Sequence, residues 1–256
     1  GILVQERIFP ATTRPQPKVE ITAPLARYLA EAPAKPRGLA RLEHKLVKAL
    51  FFTIHQRLGI PAPGVMHLAG GGTIEVDCRN TAFIQLVQAM KLEGSYEPEV
   101  TALLDRLAPS LGTVYDIGAN CGFLSLLIAL TPGFRGHIQA FEIDPATFAD
   151  LRRTIAGAGI GGLVTTHDFG LSDNDGTARL LRGKHSFLNR VAAVGERGAS
   201  VTVAVHRRDG GDRPPPDRSK SDVEGHEAAV LRGAEAVLRN AHPLLILESW
   251  YRPGPE

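Results

Sequence analysis

An α/β fold, a doubly wound and mostly parallel sheet with an N-terminal helical and hairpin annex, is the fold class this sequence predicts. Two observations lead to it. Beyond residue 113 short strand-like runs alternate with helical patterns, Val114-Tyr115-Asp116, then 121–130, 138–141, 145–156 and 164–167, and strand–helix alternation builds parallel sheets. The second is size: 256 residues, 43% hydrophobic and 22% charged, suffice for one full domain plus an annex.

Taken in order, residues 1–38 carry Pro10, Pro15, Pro17, Pro24, Pro33 and Pro36. Each proline removes a backbone donor, so an irregular arm with one short helix near 25–32 is expected. From 39 to 58, Leu39, Leu42, Leu46, Leu50, Ile54 and Leu58 recur every three or four residues and predict one amphipathic helix, with Arg41, Lys45, Lys48 and Arg57 on its remainder. Such a stripe is expected to pack on its own domain; the other readings are contact with an anionic membrane or a cover over a substrate site. Residues 66–68 and 73–76 flank Gly70-Gly71-Gly72 as a hairpin. A helix at 97–107 leads into the alternating region, where Asp144 caps the helix that Pro145 begins. After 164–167 no helix follows; 177–181 and 201–205 read as an inserted hairpin ended by Pro214–Pro216. A single helix at 226–240 and a strand at 244–247 complete the pattern. The arm (1–38), the annex (39–95) and a main domain (96–256) are the expected divisions.

Lys and Arg number 29 against 27 Asp and Glu, a net +2, so a nucleic-acid partner is not implied. Two cysteines, Cys78 and Cys121, without a CxxC, point to a reducing, cytoplasmic setting. No apolar run approaches the roughly 18 residues that span a bilayer.

In a parallel sheet, ligands bind beyond the carboxyl ends of strands where the strand order reverses. The loop after the first strand reads Asp116-Ile117-Gly118-Ala119-Asn120-Cys121-Gly122, and Glu142 ends the second strand. Gly118 and Gly122 allow a ligand close to the backbone, and a carboxylate one βαβ unit downstream can accept both ribose hydroxyls. A dinucleotide wants GxGxxG, but Asn120 stands where its central glycine would, which disfavours an NAD-dependent oxidoreductase. Asp116 would repel a phosphate. A cationic nucleoside fits better, and S-adenosylmethionine, with its sulfonium and amino group, is one.

Five blocks in order, Tyr96-Glu97-Pro98, residues 114–122, Phe141-Glu142-Ile143-Asp144-Pro145, residues 170–176 and Asp222-Val223-Glu224-Gly225-His226-Glu227, resemble the FkbM family of S-adenosylmethionine-dependent O-methyltransferases over about residues 66–250. The resemblance implies a class I methyltransferase-like (Rossmann-like) fold, methyl transfer to a hydroxyl of a sugar or other natural product, and cofactor contacts at Asp116, Gly118, Asn120, Gly122 and Glu142. By position after the third strand, Asp168 and Ser172 are added as adenine contacts. The acceptor is thus expected to be a small hydroxylated molecule.

An alcohol becomes a good nucleophile as it loses its proton, so a base is required within reach. Asp222, Glu224 and His226 cluster where the fourth strand meets its helix and are the candidates; Glu224 and Glu227 equally suit a helix N-terminus. The one-residue alternation of Asp222, Glu224 and His226 matches no metal signature, so no metal is predicted. Against the resemblance, Arg218-Ser219-Lys220-Ser221 stand where an apolar central strand is expected, which predicts a frayed or shifted strand. The alternative function is then a cofactor-binding but inactive module for assembly or membrane recruitment. The chain begins at Gly1 and reaches Glu256 without the closing antiparallel hairpin of a class I sheet. A truncated chain is the expectation, its last strand an apolar edge able to pair with a second copy.

Overall fold

The computed structural model describes residues 14–33, 35–181, 183, 189–192, 196–209 and 212–247. The expectations about Gly1, Pro10 and the segment after the last strand lie outside them. The chain divides into two compact units, Gly1–Ala108 and Pro109–Glu256.

The first unit contains an antiparallel sheet in the order β1(Lys18–Ile21), β2(Pro63–His67), β3(Thr73–Asp77). The hairpin β2–β3 forms as expected, with Gly71 and Gly72 both at φ 90° in its turn. β1 corrects the irregular arm. Lys18–Ile21 lies between prolines rather than containing one, and it alternates exposed and buried residues while pairing with β2. The helix expected near 25–32 is α1(Pro24–Glu31); α2(Leu39–Phe51), continued by a π-helical turn Phe52–Arg57, matches the predicted helix. α3(Ala82–Glu93), unanticipated from sequence, and α4(Pro98–Leu107) follow. The stripe on α2 does not pack inward as expected: Leu39 is 86%, Leu42 67% and Leu46 60% exposed, and Phe51 is the helix's only fully buried residue.

The second unit is built on a five-stranded, wholly parallel sheet in the order β12-β11-β4-β5-β6. These are β4(Thr113–Ile117), β5(His137–Phe141), β6(Val164–His167), β11(Arg218–Ser221) and β12(Leu244–Leu247). The chain winds outward from β4 through β5 to β6, then returns to lay β11 on the other side of β4. The order therefore reverses between β4 and β11, where a ligand crevice belongs. α5(Phe123–Ala129), buried at every residue, and α6(Pro145–Gly157) connect the early strands. The Asp144 side chain accepts the Ala146 N–H at 3.3 Å as the predicted cap. The insertion forms β7(Gly170–Leu171), β8(Gly176–Leu181), β9(Arg190–Val191) and β10(Ser200–His206), with β8 and β10 the expected antiparallel pair.

Two expectations fail here. Arg218–Ser221 is neither frayed nor shifted but an in-register strand, buried at all four residues between β4 and β12. Backbone anchors hold both its ends: Asp217 Oδ2 accepts the N–H groups of Gly112 and Thr113 at 2.7 Å each, and the Asp222 N–H reaches the Ile117 carbonyl at 3.0 Å. The predicted helix at 226–240 is broken into α7(Glu227–Gly233) and α8(Glu235–Ala241). The Gly233 carbonyl accepts the N–H groups of Arg208 and Asp209, and the Asp209 carboxylate takes those of Ala236 and Val237, so the second helix acquires its own cap. β12 is the sheet's edge, with Leu244 50% exposed.

Candidate active site at the switch point

Three turns meet at the carboxyl ends of β11, β4 and β5. Gly118 and Ala119 both donate their N–H to the Phe141 carbonyl, at 3.0 and 2.9 Å, binding the first turn to β5. Gly118, at φ 79°, faces the third turn so closely that an added Cβ would lie 2.0 Å from the Asp222 carbonyl oxygen. Gly122, also at φ 79°, leaves no room beside Leu151, whose Cδ1 a Cβ would meet at 2.6 Å. Asn120 between them adopts φ 51°, a left-handed conformation that asparagine tolerates better than most residues. Here the glycines are required by backbone contact and conformation, beyond any approach of a ligand.

Glu142 closes this arrangement. Its Oε2 accepts the Asn120 N–H at 2.9 Å and its Oε1 the Asp144 N–H at 2.8 Å. Burial, opposed by these two bonds but reinforced by Asp144 and Asp116, pushes its carboxyl up to about 7. Asp116 sits deeper, 1% exposed, with Oδ2 accepting the Ser125 hydroxyl at 2.6 Å and Oδ1 buried without a hydrogen-bond partner among the described residues. Burial raises its pKa, against the nearby Lys220.

The Lys220 ammonium is a site group that sequence reasoning missed. It is the register partner of Asp116 across β11 and β4, and its Nζ lies 3.1 Å from Asp222 Oδ2. It also acts on Glu224, whose carboxyl is pushed up to about 7 by burial and by Asp222 and Glu227, with Lys220 opposing. The signal was present as a lysine in a predicted central strand, where a buried cation demands an anion. Four carboxylates, Asp116, Glu142, Asp222 and Glu224, thus share this corner with one lysine.

Glu224 adopts φ 53°, and no hydrogen bond of its side chain is formed among the described residues. Its turn is fixed from below, because Glu227 Oε1 accepts the N–H groups of Val223 and Gly225 at 3.0 and 3.3 Å. His226 instead lies 3.0 Å from Ser172 through Nε2, and burial lowers its pKa. Ser172 is itself 3% exposed. The structure therefore joins Ser172 to His226, while Asp168 lies exposed just beyond β6.

A sequence profile described as the methyltransferase FkbM domain matches residues 116–256, more than half of the chain. The chain belongs to the FkbM methyltransferase family. Within it, the parallel sheet and the loops at its switch point give a class I, Rossmann-like methyltransferase fold. A curated relative, the hexuronic acid methyltransferase AglP of Haloferax volcanii, is 26% identical over 156 residues, or 59% of this chain and 61% of its own length. The chain thus spans about three fifths of that relative. Among solved structures, the methyltransferase FkbM from Methylobacillus flagellatus KT is 22% identical with TM-score 0.40, covering 53% of this chain and 32% of the other. The precorrin-6y C5,15-methyltransferase from Geobacter metallireducens GS-15 is 16% identical with TM-score 0.36, covering 61% and 64%. Membership of a methyltransferase family implies a methyl donor.

Proposed function

We propose that the chain transfers the methyl group of S-adenosylmethionine to a hydroxyl of a sugar or other natural product. The observation that carries the reading is Glu142, a buried carboxylate at the second strand tip, held between the first two turns by an N–H from each. That is where a ribose-binding acid belongs in a doubly wound sheet. The donor set fits: four carboxyl groups stand against one lysine, and burial holds Asp116, Glu142 and Glu224 above their usual range, so that a bound cation would favour their ionised forms. Glu142 would take the ribose hydroxyls, while Gly118 and Asn120 shape the backbone around the nucleoside. S-adenosylmethionine supplies an electrophilic methyl group on sulfonium.

The chain's own task is to hold the acceptor oxygen in line and to receive its proton. Among the three candidates, Asp222 is committed to Lys220 and His226 to Ser172. Glu224, whose carboxyl is pushed up to about 7 and which forms no side-chain hydrogen bond among the described residues, would take the proton of the acceptor hydroxyl. The curated relative acts, by its name, on a hexuronic acid, so a uronic acid glycoside is the first acceptor to try.

The test supplies methyl-labelled S-adenosylmethionine with a uronic acid glycoside or its neutral hexose counterpart. Label should pass to sugar, and Glu142→Ala should slow the transfer about 10- to 100-fold at limiting S-adenosylmethionine. A chain that shows no binding of S-adenosylmethionine by calorimetric titration overturns the proposal.

A further inference from the structure

We infer that α2 is an interfacial helix that seats the chain on an anionic lipid surface. Leu39, Leu42, Leu46 and Leu50 fall within an arc of about 80° at 100° per residue. All four are exposed, from 86% at Leu39 to 41% at Leu50. The arc is turned away from the rest of its own unit, because the inward side of the helix carries Val47 and the buried Phe51. Beyond the helix, Leu58 (67%) and Ile60 (48%) prolong the exposed apolar surface. A run of leucines in this state is an unusual feature for a surface that meets only water.

Charge identifies the occupant. Residues 35–58 contain six cations, Lys35, Arg37, Arg41, Lys45, Lys48 and Arg57, and one anion, Glu43. That is +5 in a chain whose total is +2, so everything else sums to −3. At 100° per residue Lys45 lies about 60° beyond the Leu42 edge of the arc, with Arg41 and Lys48 about 100° and 120° beyond it on the same side, and no ion pair links them to a carboxylate among the described residues. Leucines entering the acyl boundary while flanking cations meet headgroup phosphates is the pattern of a helix lying in a membrane interface. A second copy of the chain would set this +5 segment against itself, which charge repulsion opposes. At 13 residues α2 cannot cross a bilayer, and among the described residues no helix is long and apolar enough to do so. Lipid contact here is therefore in the plane of the surface.

The experiment is co-sedimentation with vesicles of phosphatidylcholine containing roughly 30% phosphatidylglycerol, against phosphatidylcholine alone. The chain should bind the anionic vesicles and release in about 0.5 M salt. Leu42→Glu with Leu46→Glu replaces two exposed side chains and should reduce binding about tenfold, with the circular dichroism spectrum unchanged. Lys45→Glu with Lys48→Glu should do the same through charge alone. Absence of binding to anionic vesicles, undiminished binding by both double variants, or a dimer in solution that Leu42→Glu dissociates would overturn the inference. None of these readouts involves methyl transfer, so failure here is distinct from failure of the enzymatic proposal.

Discussion

Glu142 accepts the backbone N–H of Asn120 at 2.9 Å, joining the turn after β4 to the tip of β5 through one carboxylate. The same side chain is thereby a structural clasp and, in the function proposed above, the group that would meet a ribose. The fold assembles the rest around it: a strand-order reversal brings Asp222 and Glu224 to the same end, and a buried lysine limits their repulsion.

Replacing Glu224 separates binding from chemistry. Glu224→Gln should lower kcat by about 10²- to 10⁴-fold while leaving the S-adenosylmethionine Kd within about twofold. In the unaltered chain kcat should rise with pH through about 7, as the carboxyl ionises. The raised pKa also has a stability consequence. A carboxyl that holds its proton more tightly when folded stabilises the fold at low pH, and that contribution disappears as pH rises through about 7. Because Glu224 is partly exposed, the effect is discounted to about 1 kcal/mol or less. Thermal unfolding should show Glu224→Gln slightly more stable than the unaltered chain at pH 8 and equal to it at pH 4.

Lys220 is tested by its charge. Lys220→Met strips the cation from beside Asp116, Asp222 and Glu224 and should cost about 3 kcal/mol in urea unfolding. It should also move the rising limb of the kcat–pH profile upward by about one pH unit, since a cation that favours the ionised base has gone. Lys220→Arg, which keeps the charge, should restore the profile. A lysine that only fills space would leave that limb in place.

Gly118 leaves no room for a side chain, with φ 79° and the Asp222 carbonyl 2.0 Å from the position of a Cβ. Gly118→Ala should cost at least about 3 kcal/mol and loosen the Asp222 turn. Gly161, whose Cβ would meet nothing within 4 Å, is the control, and Gly161→Ala should stay within about 0.5 kcal/mol. Equal melting temperatures for the two variants would contradict the packing described.

Arg218 is 0% exposed, and Nε and both terminal nitrogens lack hydrogen-bond partners among the described residues. An unpaired buried guanidinium is costly, so Arg218→Met should stabilise the chain by about 1 kcal/mol or more. Urea unfolding reads this directly; a destabilised variant would mean that Arg218 serves an interaction the sheet alone does not reveal.

The alternation from Val114 to His167 was legible because buried parallel strands and the helices between them leave strong, local apolar patterns. The polar β11 was misread for a reason that is not local. Its register is fixed by Asp217 reaching Gly112 and Thr113, and its lysine is accommodated by carboxylates two residues along and one strand across. α2 shows a different limit, since periodicity announces a helix face without saying what the face meets. In the site, the spacing of Asp116, Gly118, Gly122 and Glu142 indicated where to look. What separates Asp222, Glu224 and His226 is contact with Lys220 for the first and Ser172 for the last, partners that only folding brings close.

The central claim is that ionised Glu142 holds a cationic nucleoside. Isothermal titration with S-adenosylmethionine at pH 6 and pH 8 tests it most directly. Because the free carboxyl titrates at about 7, affinity should be about tenfold weaker at pH 6 than at pH 8, with a proton released on binding. Glu142→Ala should bind about 10- to 100-fold more weakly at pH 8 and lose the pH dependence. Equal affinities of the unaltered chain and Glu142→Ala at pH 8 would contradict the account.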